Sequence, residues 1–115
     1  MRCGIDIISI EYICQMLDKH GWDFLNNFYS EYELKEMMKR KKMSRKLEYL
    51  AGRFAGKEAV YKAIQTNFDP RQLSILNRHD GKPYIKFDIH KLSDHCISIS
   101  HYNGIAMAFV IINEV

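Results

Sequence analysis

The stretch from Ser44 to Ile64, SRKLEYLAGRFAGKEAVYKAI, decides the fold class of this chain. Its apolar residues recur at helical spacing, which predicts one long helix. Gly52 and Gly56 lie four residues apart in this helix, and each costs about 1 kcal/mol relative to Ala. Such a pair leaves a groove that suits either a ligand or another backbone, or else tight packing of the helix on a sheet.

Shorter elements precede the long helix. Isoleucines dominate residues 2–10, which predicts a strand near the N-terminus. Residues 11–20 are expected to form a short helix that ends near Gly21, and residues 24–28 a further helical turn. Ser30 and Glu33 have the spacing of a capping box, so another helix should begin at Glu31 and run into the basic stretch 39–42.

The second half of the chain has the pattern of two hairpins. The predicted strands 73–78 and 83–88 flank Asp80-Gly81, and the predicted strands 96–101 and 105–112 flank Asn103-Gly104. Helices come first and antiparallel hairpins follow, which indicates an α+β fold rather than a wound parallel sheet. The length of 115 residues fits one domain, residues 1–115.

Composition narrows the class of function. The net charge of +3 suits a small polyanionic ligand or an acidic protein partner, and it is weak evidence for nucleic acid. The three cysteines have no paired spacing, which argues against a disulfide framework or a zinc site and predicts a reducing cytoplasm. The longest apolar run, residues 105–112, is far too short to span a membrane.

Two carboxylates occupy positions where apolar residues are expected. Glu58 lies beside the apolar stripe of the long helix, where it must be paired, protonated or bound to a cation. Lys62 lies four residues on, so a helical ion pair is one interpretation. Asp6 lies in a predicted strand, where Asp is disfavoured, and it could instead cap a loop. Together, Asp6 and Glu58 could form a magnesium site that substrate phosphates complete.

Basic residues surround this candidate site. Lys46, Arg53 and Lys57 share one edge of the long helix, which is either a solvated face or a floor that binds phosphate. Magnesium with lysine and arginine is the usual means of stabilising charge in phosphoryl transfer. His101 lies at a predicted strand end, where a histidine is either structural or a ligand contact.

Four motifs occur in one order along the chain. They are Gly4-Ile5-Asp6, Phe54-Ala55-Gly56-Lys57-Glu58-Ala59-Val60-Tyr61-Lys62, Gly81-Lys82-Pro83 and Ser98-Ile99-Ser100-His101. In this the chain resembles holo-acyl-carrier-protein synthases, over nearly its whole length. The resemblance implies the 4′-phosphopantetheinyl transferase fold, typically as a homotrimer with active sites between subunits. It also implies a reaction, in which coenzyme A donates its 4′-phosphopantetheine arm to a serine of an apo-acyl carrier protein and 3′,5′-ADP leaves.

The resemblance also assigns roles to individual residues. Asp6 and Glu58 match the metal ligands of the family, and Lys62 matches the lysine near the reacting phosphates. Arg53, Lys57 and His101 match positions that line the coenzyme A site, and His101 is expected to act on a neighbouring subunit's site. The general base stays open between Glu58, Lys62 and a metal-bound water.

One residue departs from the pattern of the family. Tyr12 stands where these proteins usually have an arginine that docks the acidic helix of the carrier, so the identity or affinity of the carrier is in question. A non-catalytic or decayed basic domain that docks an acidic partner is therefore the second hypothesis. A nucleic-acid binder is the third, with the basic residues of 39–46 as its footprint and no RNA-binding signature beside them.

Overall fold

Helix α4 (Met43–Ile64) packs against a three-stranded antiparallel sheet of order β1-β5-β4, as a computed structural model of the chain shows. The strands are β1 (Arg2–Ser9), β4 (His95–Tyr102) and β5 (Ile105–Ile112). The structure describes residues 1–89, 91–92 and 94–113. The predicted domain, residues 1–115, therefore includes four residues that lie outside the described ranges.

The remaining elements surround α4. Helices α1 (Ile10–His20), α2 (Trp22–Phe28) and α3 (Glu31–Met38) precede it. A 3-10 turn (Pro70–Gln72) follows it and leads into a hairpin of β2 (Leu73–Asn77) and β3 (Pro83–Phe87). The predicted α+β class, the N-terminal strand, the long helix and both hairpins are confirmed. The pairing of β1 with β5 was not predicted, because no local pattern joins the two ends of a chain.

Local capping by serine side chains explains where α1 and α3 begin. The Ser9 side chain accepts a hydrogen bond from the Tyr12 backbone N–H and so starts α1 at Ile10. Both halves of the predicted capping box are present at α3, where Ser30 accepts from the Glu33 N–H and Glu33 accepts from the Ser30 N–H. Helix α3 ends at Met38, just before the basic stretch rather than inside it.

The glycines let α4 approach the strands closely. A Cβ at Gly4 of β1 would overlap the backbone carbonyl of Ala59 in α4. A Cβ at Gly56 would meet the side chains of Ile75 and Ile97, and one at Gly52 would meet His101 and Ile99. The interpretation of Gly52 and Gly56 as a packing surface is therefore confirmed within the protomer.

The sheet has one buried face and one exposed face. Alternate residues of β5 point into the core (Ala106, Ala108, Val110 and Ile112). The outer face is apolar as well, since Ile5 pairs with Phe109 and Ile7 with Met107, and all four are exposed. No helix in the described ranges has the length and apolar character needed to cross a bilayer.

Candidate active site

Asp6 and Glu58 meet where β1 crosses α4. Asp6 lies in the middle of β1, opposite Ala108, and 17% of its side chain is exposed. Glu58 is half-buried on the adjoining face of α4. Burial raises the pKa of the Glu58 carboxyl, the negative charge of Asp6 raises it further, and the positive charge of Lys62 partly opposes both effects. The structure therefore brings together two carboxylates that repel one another.

Lys62 bridges the helix and the strand. Its Nζ donates to the backbone carbonyl of Ile5 at 2.9 Å and to Asp6 Oδ1 at 3.2 Å. The helical ion pair between Glu58 and Lys62 does not occur among the ion pairs of the described residues, because Lys62 reaches across to the strand. An ammonium has three donors, and 54% of the Lys62 side chain remains exposed, so it can still donate to a ligand.

The two carboxylates fit a magnesium ion. Carboxylate oxygens are hard ligands, and Mg²⁺ is typically held by one or two of them together with waters and substrate phosphates. No cluster of three or more His, Cys, Asp and Glu residues suited to a metal occurs within the described ranges. The donor set thus matches an ion whose shell is completed by a substrate better than an ion enclosed by protein.

Lys57 and Arg53 are not on a solvated face. The side chain of Lys57 is 1% exposed, and its Nζ pairs with Glu33 Oε1 at 2.5 Å. Burial lowers the pKa of the Lys57 ammonium, and the Glu33 charge opposes that shift. Arg53 is also buried, and its guanidinium donates to the Ile75 carbonyl at 3.1 Å and to Asn77 Oδ1 at 2.9 Å. The solvated-face interpretation is wrong for these two residues.

Arg53 lines a cationic cleft beside α3. The cleft has a volume of about 350 Å³, and its lining includes three cations, one carboxylate and three tyrosines (Arg53, Lys35, Lys39, Glu36, Tyr32, Tyr49 and Tyr84), so its charge is positive on balance. The guanidinium carbons of Arg53 and Arg40 lie 4.2 and 4.1 Å from the centroid of the Tyr49 ring. A cleft with this charge and these rings suits an anionic ligand that carries a flat group.

His101 lies away from the carboxylates of its own protomer. It is on β4, whereas Asp6 is on β1, and β5 separates these two strands. The His101 Nε2 is 2.8 Å from the Glu48 carbonyl oxygen, and its imidazole lies over Gly52. One protomer therefore does not gather all the predicted site residues in one place.

Two residues of the site region were missed by sequence reasoning. Glu33 is fully buried and pairs with Lys57, although the sequence assigned it only to a helix cap. Tyr49 is buried, and its hydroxyl has no hydrogen-bond partner among the described residues. The sequence did contain one signal for Glu33. Lys57 lies on the packed side of a helix, and a buried lysine needs a buried anion as its partner.

The residues of the proposed nucleic-acid footprint have other roles. Lys39 pairs with Glu36, and Arg45 pairs with Glu48. The Lys46 ammonium donates to the Arg40 carbonyl, just beyond the end of α3. Three of these cations thus neutralise or cap the protein itself, which weakens the case for a nucleic-acid surface.

Comparisons with known proteins agree over nearly the whole chain. Residues 2–110 match the 4′-phosphopantetheinyl transferase superfamily. A holo-[acyl-carrier-protein] synthase of Halothermothrix orenii is 38% identical over 122 residues, covering 96% of this chain and 95% of that protein. One from Halalkalibacterium halodurans is 37% identical over 115 residues, covering 96% and 93%.

Solved structures give the same result for the fold. A Bacillus anthracis holo-(acyl-carrier-protein) synthase in complex with CoA (3′,5′-ADP) superposes with a TM-score of 0.86 at 33% identity, covering 99% of this chain and 96% of that one. A Helicobacter pylori holo-[acyl-carrier-protein] synthase in complex with coenzyme A gives a TM-score of 0.82 at 29% identity, covering 96% and 99%.

Proposed function

This chain belongs to the 4′-phosphopantetheinyl transferase superfamily, and from that premise we propose that it is a magnesium-dependent holo-[acyl-carrier-protein] synthase. It transfers the 4′-phosphopantetheine group of coenzyme A to a serine of an apo-acyl carrier protein and releases 3′,5′-ADP. The observation that carries the proposal is the meeting of Asp6, Glu58 and Lys62 at the crossing of β1 and α4.

Asp6 and Glu58 are the residues that would hold the magnesium ion. The bound ion would neutralise charge on the pyrophosphate of coenzyme A and act there as a Lewis acid. Without a cation, the repulsion between the two carboxylates is relieved only in part by Lys62. A phosphate-bound cation is therefore a better partner for this pair than the Lys62 ammonium alone.

Lys62 has the contacts of a residue that stabilises a reacting phosphate. Its ammonium is anchored by the Ile5 carbonyl and Asp6, which fixes its position beside the carboxylates. The remaining donor can bind a phosphate oxygen and stabilise charge that develops in the transition state. Glu58 and Lys62 both stay candidates for the group that takes the proton of the carrier serine.

The coenzyme A site is proposed to span two subunits of a homotrimer. Arg53 lines the cationic cleft, which suits the phosphorylated nucleotide end of coenzyme A. His101 lies two strands away from Asp6, on the opposite edge of the sheet, and we expect it to act on the carboxylates of another copy. The exposed apolar outer face of the sheet gives the copies a surface to bury against one another.

Tyr12 adjoins this region through a row of aromatic rings. It packs edge-on against Phe54 at 5.8 Å between ring centroids, and Phe54 stacks on Phe28 at 4.5 Å. Phe28 in turn lines the recess that contains Glu58. We place the carrier at this end of α1, where Tyr12 offers it a flat ring and a hydroxyl but no charge.

The three cysteines are free thiols, in keeping with a cytoplasmic location.

Intact mass spectrometry tests the proposal directly. The chain is incubated with coenzyme A, Mg²⁺ and a panel of apo-carriers, and one carrier should gain a single phosphopantetheine group. Asp6→Asn and Glu58→Gln should lower the rate by at least about a hundredfold, because each removes one charge and keeps the shape. Asp18→Asn and Glu31→Gln, on exposed positions of α1 and α3, are the matched controls and should match the wild-type rate.

A decayed binding domain predicts a different result. In that case the chain would bind a carrier without modifying it, with or without chelator. Transfer that is unaffected by chelator, or by both carboxylate substitutions, would contradict a metal held by Asp6 and Glu58.

A further inference from the structure

The ammonium of Lys57 has no donor left for a ligand. Its Nζ pairs with Glu33 Oε1 at 2.5 Å and donates to the backbone carbonyls of Phe28 at 3.0 Å and Pro70 at 2.8 Å. A lysine ammonium has three donors and no acceptor, so these three partners use it completely. With the whole residue only 2% exposed, no phosphate can reach this group without breaking one of the three contacts.

Glu33 is also held by three polar contacts, one of them to Lys57. Its Oε1 accepts from the Ser30 N–H at 2.9 Å, and its Oε2 accepts from the Ile75 N–H at 2.9 Å. Both members of the pair lie inside the protein, and between them they contact the start of α3, strand β2, the end of α2 and the 3-10 turn. The pair therefore ties the start of α3 and strand β2 to the middle of α4.

The contacts of Lys57 end at the walls of the recess beside Glu58. This recess has a volume of about 150 Å³ and is lined by Phe28, Lys57, Glu58, Tyr61, Phe68 and Pro70. Phe28 and Pro70, whose carbonyls Lys57 holds, thus form two of its walls. Phe28 belongs to α2 and Pro70 to the 3-10 turn. Within the described ranges, the hydrogen bonds that join these two elements to α4 are the two made by Lys57.

We propose that Lys57 is a positioning residue that fixes the walls of the Glu58 recess through Glu33 and two carbonyls, and that it does not contact coenzyme A. The inference rests on the proposed function, since it concerns how that site is held in shape. It gives the lysine of the Lys57-Glu58 motif a role different from the coenzyme A contact implied by the family resemblance. Arg53, Lys62 and His101 remain the candidate contacts for the phosphates.

A charge-neutral pair of substitutions separates position from contact. Lys57→Met alone leaves Glu33 buried without its partner and should lower the melting temperature strongly. Adding Glu33→Gln removes the orphan charge and should recover most of that loss. Lys62→Met is the matched control, because it is the same substitution on the same helix at an exposed ammonium.

Two measurements on the double variant decide the matter. Its affinity for coenzyme A with Mg²⁺, measured by calorimetry, should stay within about threefold of wild type, whereas Lys62→Met should lose roughly ten- to a hundredfold. The kcat of the double variant should fall by at least about tenfold, because misplaced walls misplace the reacting groups. A loss of affinity as large as that of Lys62→Met, with a weaker dependence on salt, would overturn the proposal.

Lysine labelling of the wild-type protein needs no variant that must fold. The protein is treated with acetic anhydride and its labelled lysines are located by peptide mass mapping. Lys57 should stay unlabelled with or without coenzyme A and Mg²⁺. Lys62 should be labelled in the absence of coenzyme A and protected in its presence. Labelling of Lys57 that coenzyme A suppresses would overturn its assignment as a positioning residue. If coenzyme A protected neither lysine and did not bind, the proposed function would fail, and this inference with it.

Discussion

Tyr49 carries a buried hydroxyl without a hydrogen-bond partner in the described part of the chain. Burial raises the pKa of Tyr49 to about 12, against 10.0 ordinarily. Between these values the folded state holds a proton that the unfolded state has lost, so stability falls as the pH rises above 10. Tyr29 adds to this trend, because burial and the Glu33 charge raise its pKa well above the usual value.

Tyr49→Phe should therefore protect the protein at high pH. We expect it to be neutral or slightly stabilising at pH 8, where it removes only an unpaired hydroxyl. At pH 11 it should gain about a further 1.4 kcal/mol over wild type, from a shift of about two pKa units. Urea unfolding at both pH values measures this, with Tyr32→Phe on the exposed face as control. Equal pH dependence in all three proteins would contradict it.

Tyr12→Arg tests how the carrier docks. Tyr12 is 41% exposed, so an arginine there can reach an acidic carrier helix. A rim ion pair contributes roughly 0–1 kcal/mol, so KM for a fatty-acid carrier should fall by at most about fivefold, with kcat nearly unchanged. The lower KM should also become more sensitive to salt. If the variant is less active on every carrier, Tyr12 makes a favourable contact of its own, and its interpretation as a lost docking residue is wrong.

At the scale of single residues, the sequence indicated which two carboxylates lie together but not which groups the basic side chains contact. Asp6 and Glu58 were found because carboxylates on apolar patterns are unusual, and the structure does bring them together. The partner of Lys62 was missed, since nothing in a helix repeat indicates a strand that crosses it. Lys57 was assigned to a basic edge of the helix because helical spacing gives the direction of a side chain around the helix axis but not how deeply it is buried.

At the scale of elements, the crossing of β1 and α4 depends on Gly4. Gly4→Ala would place a methyl group against the Ala59 carbonyl, a backbone atom that cannot rotate away. We expect a loss of at least about 3 kcal/mol, at the high end for a single substitution. Gly56→Ala should cost less, because its obstacle is the flexible end of Ile75. Chemical denaturation of both variants checks the order, and the reverse order would refute this account.

Element types were largely predictable, whereas their assembly was not. Capping residues, turn dipeptides and apolar spacing are local signals, and they gave the helices and hairpins to within a few residues. The position of β5 between β1 and β4 depends on contacts between distant parts of the chain. Such contacts produce no periodic pattern in the sequence. The one related signal is that β5 is apolar on both faces, as expected for a strand that is covered on both sides.

At the scale of the whole molecule, the outer face of the sheet should hold the proposed trimer together. Phe109→Glu places a charge among Ile5, Ile7 and Met107, so it should yield monomers of 13.6 kDa that keep their fold. Light scattering and circular dichroism measure the two effects. Met38→Glu, at an exposed position of α3 and not on this sheet, is the control. A wild-type protein that is a fully active monomer would end the trimer hypothesis.

Mixing inactive variants tests whether copies share a site. Glu58→Gln and His101→Ala should each be inactive alone, and subunit exchange between them should restore part of the activity. The restored sites would take Glu58 from one copy and His101 from another. An absence of rescue, with exchange shown by native mass spectrometry, would place both residues in a single-chain site.

The position of Asp6 and His101 on opposite edges of one sheet also bears on how activity scales with enzyme concentration. If each site needs two copies, the rate per protomer is not constant but falls once dilution separates the subunits. Initial rates would then rise more steeply than linearly with enzyme concentration, and preincubation at low concentration would produce a lag on mixing. A cell could thus set the output of this reaction through the copy number of the enzyme, without any allosteric ligand.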